Sequence, residues 1–259
     1  HLAGWMCDMD PIMQLAAERG LYVIEDCAQA HGAQYKGKPA GSIGHISAWS
    51  FCQDKIMTTG GEGGMVTTND EALWKKMWSY KDHGKNFDSI YNKQHPPGFR
   101  WLHDSFGTNW RMMEMQAVIG RIQLKKMAEW TEIRNHNMQR ICSAFEKTPY
   151  ITIFQPSNDY VHAAYKCYVQ VNVDQLPEGW SRDRIMNEIA ELGVPCFSGS
   201  CSEVYLEHAF DNTPWRAVQR LQNAQKLGES SLMFLVRPTL SEDSINQTIS
   251  AIEQVLTRI

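Results

Sequence analysis

The chain has 259 residues, 43% hydrophobic and 21% charged, with 25 Lys and Arg against 29 Asp and Glu for a formal charge of −4. At about 100–200 residues per domain, that is one or two domains with room for a full core, and the composition excludes a disordered or low-complexity chain. The slight acidic excess removes the electrostatic motive for general nucleic-acid or anionic-membrane binding, and no apolar run reaches the roughly 18 residues of a membrane span.

The opening HLAGWMCDMDP has neither the basic start nor the apolar middle of a signal peptide. Seven cysteines (Cys7, Cys27, Cys52, Cys142, Cys167, Cys196, Cys201) are scattered with no CxxC pair. That spacing argues against a zinc ribbon or a disulfide framework, and a reduced, cytoplasmic setting is expected. Cys27, Cys167 and Cys196 sit in apolar surroundings and read as packed small hydrophobes.

Asp10 is expected to cap a helix starting at Pro11, with Ile12, Leu15 and Ala16 as its stripe and Gly20 as its end. Leu21 to Ile24 then reads as a short buried strand closed by Glu25-Asp26. A second strand, His45 to Phe51, follows the turn-rich segment GKPAGSIG. Gly63 to Thr68 reads as a third, and Asn69 or Asp70 can cap a helix from Glu71. Such alternation at short range predicts an α/β layer. Residues 84–108 read as a long irregular loop, functional or an arm to a neighbour. From Arg111 to Lys147 the helical period returns, as one long helix or two in tandem, and its stripe through Met112, Met115, Val118, Ile119 and Ile122 reads as core packing. Beyond Pro149 an α+β unit is predicted. It has strands at Tyr165–Val173, Val194–Phe197 and Leu232–Val236, a helix capped by Ser181, and a final amphipathic helix opened by Ser241.

Three groups carry potential chemistry. Asp26 stands at the carboxyl end of a strand, where open α/β sheets place ligand contacts; taken alone it reads first as a helix cap or a structural ion pair. Lys55 follows the second strand in Ser-Phe-Cys-Gln-Asp-Lys, either as a desolvated nucleophilic amine or as an ordinary surface lysine. The segment Thr58-Thr59-Gly60-Gly61-Glu62-Gly63-Gly64 permits close backbone approach yet fits neither common nucleotide-loop pattern. His31, His45, His83, His95, His103 and His136 show no metal-ligand spacing, and no metal is expected.

Together these pieces become specific. Asp26-Cys27-Ala28-Gln29-Ala30-His31-Gly32, Ser50-Phe51-x-x-x-Lys55, and Thr58-Thr59 with Gly-Glu-Gly-Gly follow one another in that order. The series resembles the DegT–StrS family of PLP-dependent nucleotide-sugar aminotransferases. Asn109-Trp110-Arg111-Met112, leading into Gln116-Ala117, is similar to that family's N-x-R-M segment. The resemblance runs from the first residues to the last helix and is most specific between Asp26 and Lys55. It implies an α/β large domain of the aspartate-aminotransferase type, partial here over residues 1–130, and a smaller α+β C-terminal domain over 131–259.

It also implies pyridoxal 5′-phosphate, bound as a Schiff base to Lys55, with Asp26 opposite the ring nitrogen. Gln29 is then expected near the ring and its oxygen substituent, Ser50 at the phosphate, and Asn109 at the phosphate of a neighbouring subunit in a homodimer. Lys55 is the expected base for the proton shift. The implied reaction moves an amino group from an amino acid, expected to be glutamate, to a keto group on a nucleotide-linked sugar. Relatives that dehydrate sugars replace the lysine by histidine, so Lys55 favours transamination. Acceptor contacts are expected in the loop 84–108 and in Phe197–Tyr205, the latter reading equally as a surface turn.

Three departures accompany the resemblance. Members of the family are longer, and the part carrying their Ser-Gly-Thr-type phosphate loop is expected before His1. Cys52 stands where histidine is common, and the glycine run holds one residue more than usual. The competing reading is a truncated or partner-dependent subunit without catalysis of its own.

Overall fold

The structure, a computed structural model, describes residues 1–259. Its first elements are α1 (Met9–Arg19), β1 (Ile24–Asp26), β2 (Gln34–Tyr35), β3 (Lys38–Pro39), β4 (Ile46–Ser50), β5 (Gly64–Thr67), α2 (Glu71–Lys81), α3 (Phe87–Tyr91) and α4 (Glu114–Leu124). There follow α5 (Met127–Ser143), β6 (Ile151–Ile153), β7 (Tyr160–Val161), β8 (Cys167–Val171), α6 (Arg182–Glu191), β9 (Cys196–Phe197), α7 (Gln222–Ser230), β10 (Ser231–Phe234) and α8 (Glu242–Leu256). Two compact units divide the chain: His1–Ala128 with Asn158–His162, and Glu129–Ser157 with Ala163–Ile259. No helix is long and apolar enough to cross a membrane.

The first unit is α/β. Its sheet runs β1-β4-β5, with β1 parallel to β4 (Ile24 opposite Ile46, Asp26 opposite Ala48) and β5 antiparallel to β4. A parallel pair needs a crossover, and here residues 27–45 supply it without a helix. Within it β2 and β3 form a hairpin whose two-residue turn, Lys36-Gly37, has φ of +49° and +74°. Positive φ at both turn positions matches the twist of the flanking strands, and glycine takes the second without strain. β7 pairs with the other edge of β2.

The second unit is α+β. Its antiparallel sheet runs β6-β8-β10-β9. Alternation along β8 buries Cys167, Val169 and Val171, and along β10 Leu232 and Phe234. Against them pack Ile141 and Phe145, Ile185 and Ile189 of α6, and Ile245, Ile252 and Val255 of α8. Ser181 and Ser241 cap α6 and α8 by accepting from the amides of Arg184 and Ser244.

Several expectations need correction. α1 begins at Met9 behind Asp8, not at Pro11. The Asp10 carboxylate lies in the first turn and pairs with Lys36 Nζ at 2.5 Å, so it does not cap. β1 is only Ile24–Asp26, and its buried residue is Glu25; Leu21, Tyr22 and Ile24 are exposed. The segment 84–108 is not wholly irregular: Asn86 accepts from Ser89 N and caps α3. The helical stretch is two helices in tandem, and its apolar stripe divides. Ile141 and Phe145 are core, whereas Met115, Val118, Ile119 and Ile122 on α4 are exposed. Asp70 is the cap of α2, accepting from Leu73 N.

His162, in the short segment of the first unit that follows the β7 strand, is buried edge-on to Trp5 at 5.3 Å. Desolvation pushes its imidazole down to about 4 from an ordinary 6.5. Between those values the unfolded chain binds the proton and the folded chain does not. The stability is therefore full above 6.5 and is lost as pH falls toward 4, by up to about 3 kcal/mol. Urea unfolding midpoints measured from pH 7.5 to 4.5 are expected to fall in the native chain and to fall less in His162→Phe.

Candidate active site

The site is built on the parallel pair. Because side chains alternate along a strand, Glu25 points inward and Asp26 outward. Glu25 Oε1 accepts from Ile43 N (2.8 Å) and Gly44 N (2.5 Å), and Oε2 accepts from Gly41 N (2.9 Å) and meets His1 Nε2 at 2.9 Å. A buried carboxylate is tolerated here because both oxygens are engaged. The same bonds tie the turn before β4 to β1. His1, Glu25 and Cys27 bring three metal-ligating atoms within 4.8 Å of one another, on a carboxylate already engaged by amides. Burial raises the Cys27 thiol to about 12, so it is a neutral packed group.

Asp26 ends β1, exposed, with Oδ1 accepting from Ala28 N at 3.0 Å. Three residues on, Gln29 Oε1 accepts from Ala3 N at 2.6 Å. Asp26 lies opposite Ala48, two residues before Ser50 ends β4. Ser50 Oγ meets Cys52 N at 3.4 Å, and Cys52 Sγ meets Glu62 Oε1 at 3.4 Å. Lys55 follows with its side chain 17% exposed and Nζ 3.6 Å from Asp54 Oδ1. Asp26 and Gln29, and Ser50 and Lys55, thus leave the carboxyl ends of two adjacent parallel strands, the edge where open α/β sheets take ligands.

Asn109 makes its contacts elsewhere in the unit. It bridges Asp82, and its Oδ1 accepts from Arg111 Nε at 2.9 Å; the same guanidinium meets His83 Nε2 at 3.2 Å. The donor set at the strand ends suits pyridoxal phosphate: an amine for its aldehyde, a carboxylate for its ring nitrogen, an amide for its oxygen substituent and a hydroxyl for its phosphate. The loop holding the amine is closed on itself. Thr58 Oγ1 and Thr59 N both bond Phe51 O, Thr59 Oγ1 bonds Glu62 O, and Phe51 N bonds Gly63 O. Gly63 is obligatory there, since a Cβ would lie 2.1 Å from Thr59 Oγ1.

Two cavities, one in each unit, are lined by none of Asp26, Gln29, Ser50, Lys55 and Asn109. One of about 1170 Å3 in the first unit is lined by Trp49, Met65, Trp74, Trp78, Trp110 and Arg111, without Asp26 or Lys55. The other, about 510 Å3 in the second unit, is lined by Ser198, Ser200, Ser202, Glu203, His208 and Glu229. Bonds from Arg220 and Tyr205 lower the Glu203 carboxyl to about 2, so this wall carries a fixed anion.

Residues 1–253 match the model of the DegT/DnrJ/EryC1/StrS aminotransferase family. The chain belongs to this family. The GDP-perosamine synthase of Caulobacter vibrioides is 33% identical over 99% of this chain and 64% of its own length. The UDP-N-acetyl-3-dehydro-alpha-D-glucosamine 3-aminotransferase of Acidithiobacillus ferrooxidans is 42% identical over 52% of this chain and 33% of its own length. An aminotransferase structure from Psychrobacter cryohalolentis superposes with a TM-score of 0.97 at 64% identity, covering 100% of this chain and 68% of that one. The chain therefore spans less than two thirds of the length of the perosamine synthase. The fold expected from the resemblance, a partial aspartate-aminotransferase-like α/β domain with an α+β companion, is the fold of these neighbours.

Two features escaped sequence reasoning. Glu25 was legible only as a charge closing a strand, and the two threonines only as part of a motif. In both cases the partners come from backbone amides and carbonyls that no pattern of side chains announces. Glu25→Ala strips three amides of their acceptor, and a loss of about 3 kcal/mol is expected. Denaturant titration checks it, with Glu25→Gln, which keeps one acceptor oxygen, expected to fall between it and the native chain.

Proposed function

We propose that the protein containing this chain is a pyridoxal-phosphate-dependent aminotransferase that passes an amino group from an amino acid, glutamate, to a keto group on a nucleotide-linked sugar. The observation that supports this reading is that Asp26 ends β1 and Lys55 follows the end of its parallel neighbour β4, in a chain of this family. In this reading residues 1–130 are the partial cofactor domain and 131–259 the small domain, and the enzyme works in the cytoplasm as a homodimer.

Pyridoxal phosphate, when bound, supplies an aldehyde and an electron-accepting ring that acidify the donor's Cα–H. Asp26, solvent-facing at the end of β1, would be the carboxylate placed opposite the ring nitrogen. Lys55 Nζ would hold the cofactor through its aldehyde and would serve as the base that accepts and returns the donor's proton. Gln29 and Ser50 orient the ring oxygen and the phosphate. Asn109 reaches the phosphate of the partner subunit, so two chains complete each site. The small hydroxyls of Ser198, Ser200 and Ser202 are the groups offered to the sugar's hydroxyls. The family's acceptors range over GDP- and UDP-linked sugars in the two curated relatives, which leaves the nucleotide to experiment.

Borohydride reduction of the protein with pyridoxal phosphate is expected to fix the cofactor on the tryptic peptide carrying Lys55 and on no other. A protein that is labelled elsewhere, or that still carries the visible band after Lys55→Ala, overturns the reading. Glutamate-driven transfer to a panel of keto-sugar nucleotides is expected to fall about a thousandfold or more in Lys55→Ala. A native chain inert toward the whole panel favours the non-catalytic subunit instead. The dimer has its own test. Mixing Asn109→Ala with Lys55→Ala subunits leaves one intact site per heterodimer, and activity is expected to return.

A further inference from the structure

α4 touches the Lys55 loop along one narrow stripe. Gln116, Gly120 and Gln123 recur at helical spacing and share a face. Gln123 Oε1 accepts from Thr58 N at 2.9 Å, and Gln116 Nε2 donates to Glu62 O at 2.7 Å. Between them Gly120 is buried against Thr59: a Cβ there would lie 3.0 Å from Thr59 Cγ2. Next to it in the chain, Ile119 Cδ1 sits 3.1 Å from where a Cβ on Gly60 would stand. The contacts therefore fall on Thr58, Thr59, Gly60 and Glu62, one after another along the segment that returns from Lys55 to β5.

Two sets of bonds act on that segment. Those from Thr58 and Thr59 to Phe51 and Glu62 close the loop and set its shape. The two glutamine amides instead fix the closed loop to a helix. Neither glutamine stands among the groups that hold or attack the cofactor, and each reaches a backbone atom, so their effect on chemistry passes through Lys55.

We infer that Gln116 and Gln123 of α4 are positioning residues that hold the Lys55 loop in register with the strand ends. The inference rests on the proposed role of Lys55 for its consequence, and on the contacts alone for the anchoring. Gln123 is the sharper probe. Methionine at this position keeps the length and removes the acceptor from Thr58 N–H; glutamate keeps the acceptor.

The full chain carrying Gln123→Met, Gln123→Glu or Gly120→Ala is read in two ways. Without cofactor, amide hydrogen exchange over residues 51–63 reports the anchoring. With pyridoxal phosphate and borohydride, the cofactor concentration for half-maximal labelling of Lys55 reports its placement. Gln123→Met is expected to speed exchange at Thr58 and to raise the half-labelling concentration, each on the order of tenfold, with the thermal midpoint near the native one. Gln123→Glu is expected to restore both to within about threefold, since the acceptor for the Thr58 amide is kept. Gly120→Ala, which crowds Thr59, is expected to shift both in the direction of Gln123→Met. Exchange and labelling unchanged in Gln123→Met overturn the inference. So do equal losses in Gln123→Met and Gln123→Glu with a lowered midpoint, which mark a packing role only. Should Gln123→Met not fold, Gly120→Ala carries the same two readouts. A native chain that exchanges slowly at Thr58 yet never labels at Lys55 sinks the proposed function and leaves the anchoring standing.

Discussion

The carboxylate of Glu25 has nowhere to go but inward. β1 is three residues long, its period of two sends Asp26 outward, and the group left inside is an acid. An acid in that position must find donors, and it finds them in the amides of Gly41, Ile43 and Gly44, the turn that feeds β4. That one satisfaction requirement couples three things: the register of β1 against β4, the course of the crossover between them, and the outward aim of Asp26. Ser50 and Lys55 follow at the far end of β4, so their position also descends from it. Gly44 shows how little slack remains, since a Cβ there would meet Glu25 Cγ and Val23 O at 3.1 Å.

Short-range signals in the sequence carried the most information. Asp70, Ser181 and Ser241 were readable as caps because the bond each makes, side-chain oxygen to an amide three residues on, is written within four residues. Asp10 failed by the same logic: its carboxylate is drawn to Lys36, 26 residues away, a competitor no local pattern reveals. The hairpin β2–β3 and the pair β7 are two residues each, too short for any period to register. The contacts of Glu25 and of the α4 glutamines could not be read for a related reason, because their partners are backbone groups brought near by the fold. The strand-end grouping of Asp26, Gln29, Ser50 and Lys55 followed from motif order and family resemblance; Asn109, drawn from the same resemblance, keeps company with Asp82, His83 and Arg111 within this chain.

The apolar stripe of α4 is the instructive failure. A helical period of apolar residues says that a face seeks cover, and core packing is the usual cover. On α5 it is: Ile141 and Cys142 are buried. On α4 the same pattern leaves Met115, Val118, Ile119 and Ile122 open, on a helix with equally regular spacing. Periodicity reports the demand and is silent on what supplies it.

That silence gives α4 its particular place. Its Gln116–Gly120–Gln123 stripe is committed to the Lys55 loop, with Ile119 reaching Gly60, while Met115, Val118 and Ile122, a fraction of a turn round the same cylinder, are exposed. In the proposed homodimer the second chain would lie against this part of the molecule, because Asn109, the residue proposed to reach the partner, stands just before α4. A helix seated on both faces is held more firmly than a helix seated on one. Association would then stiffen the loop through α4 as well as completing the phosphate site through Asn109. By linkage the converse holds: a ligand that needs the ordered loop favours the associated state by the same free energy.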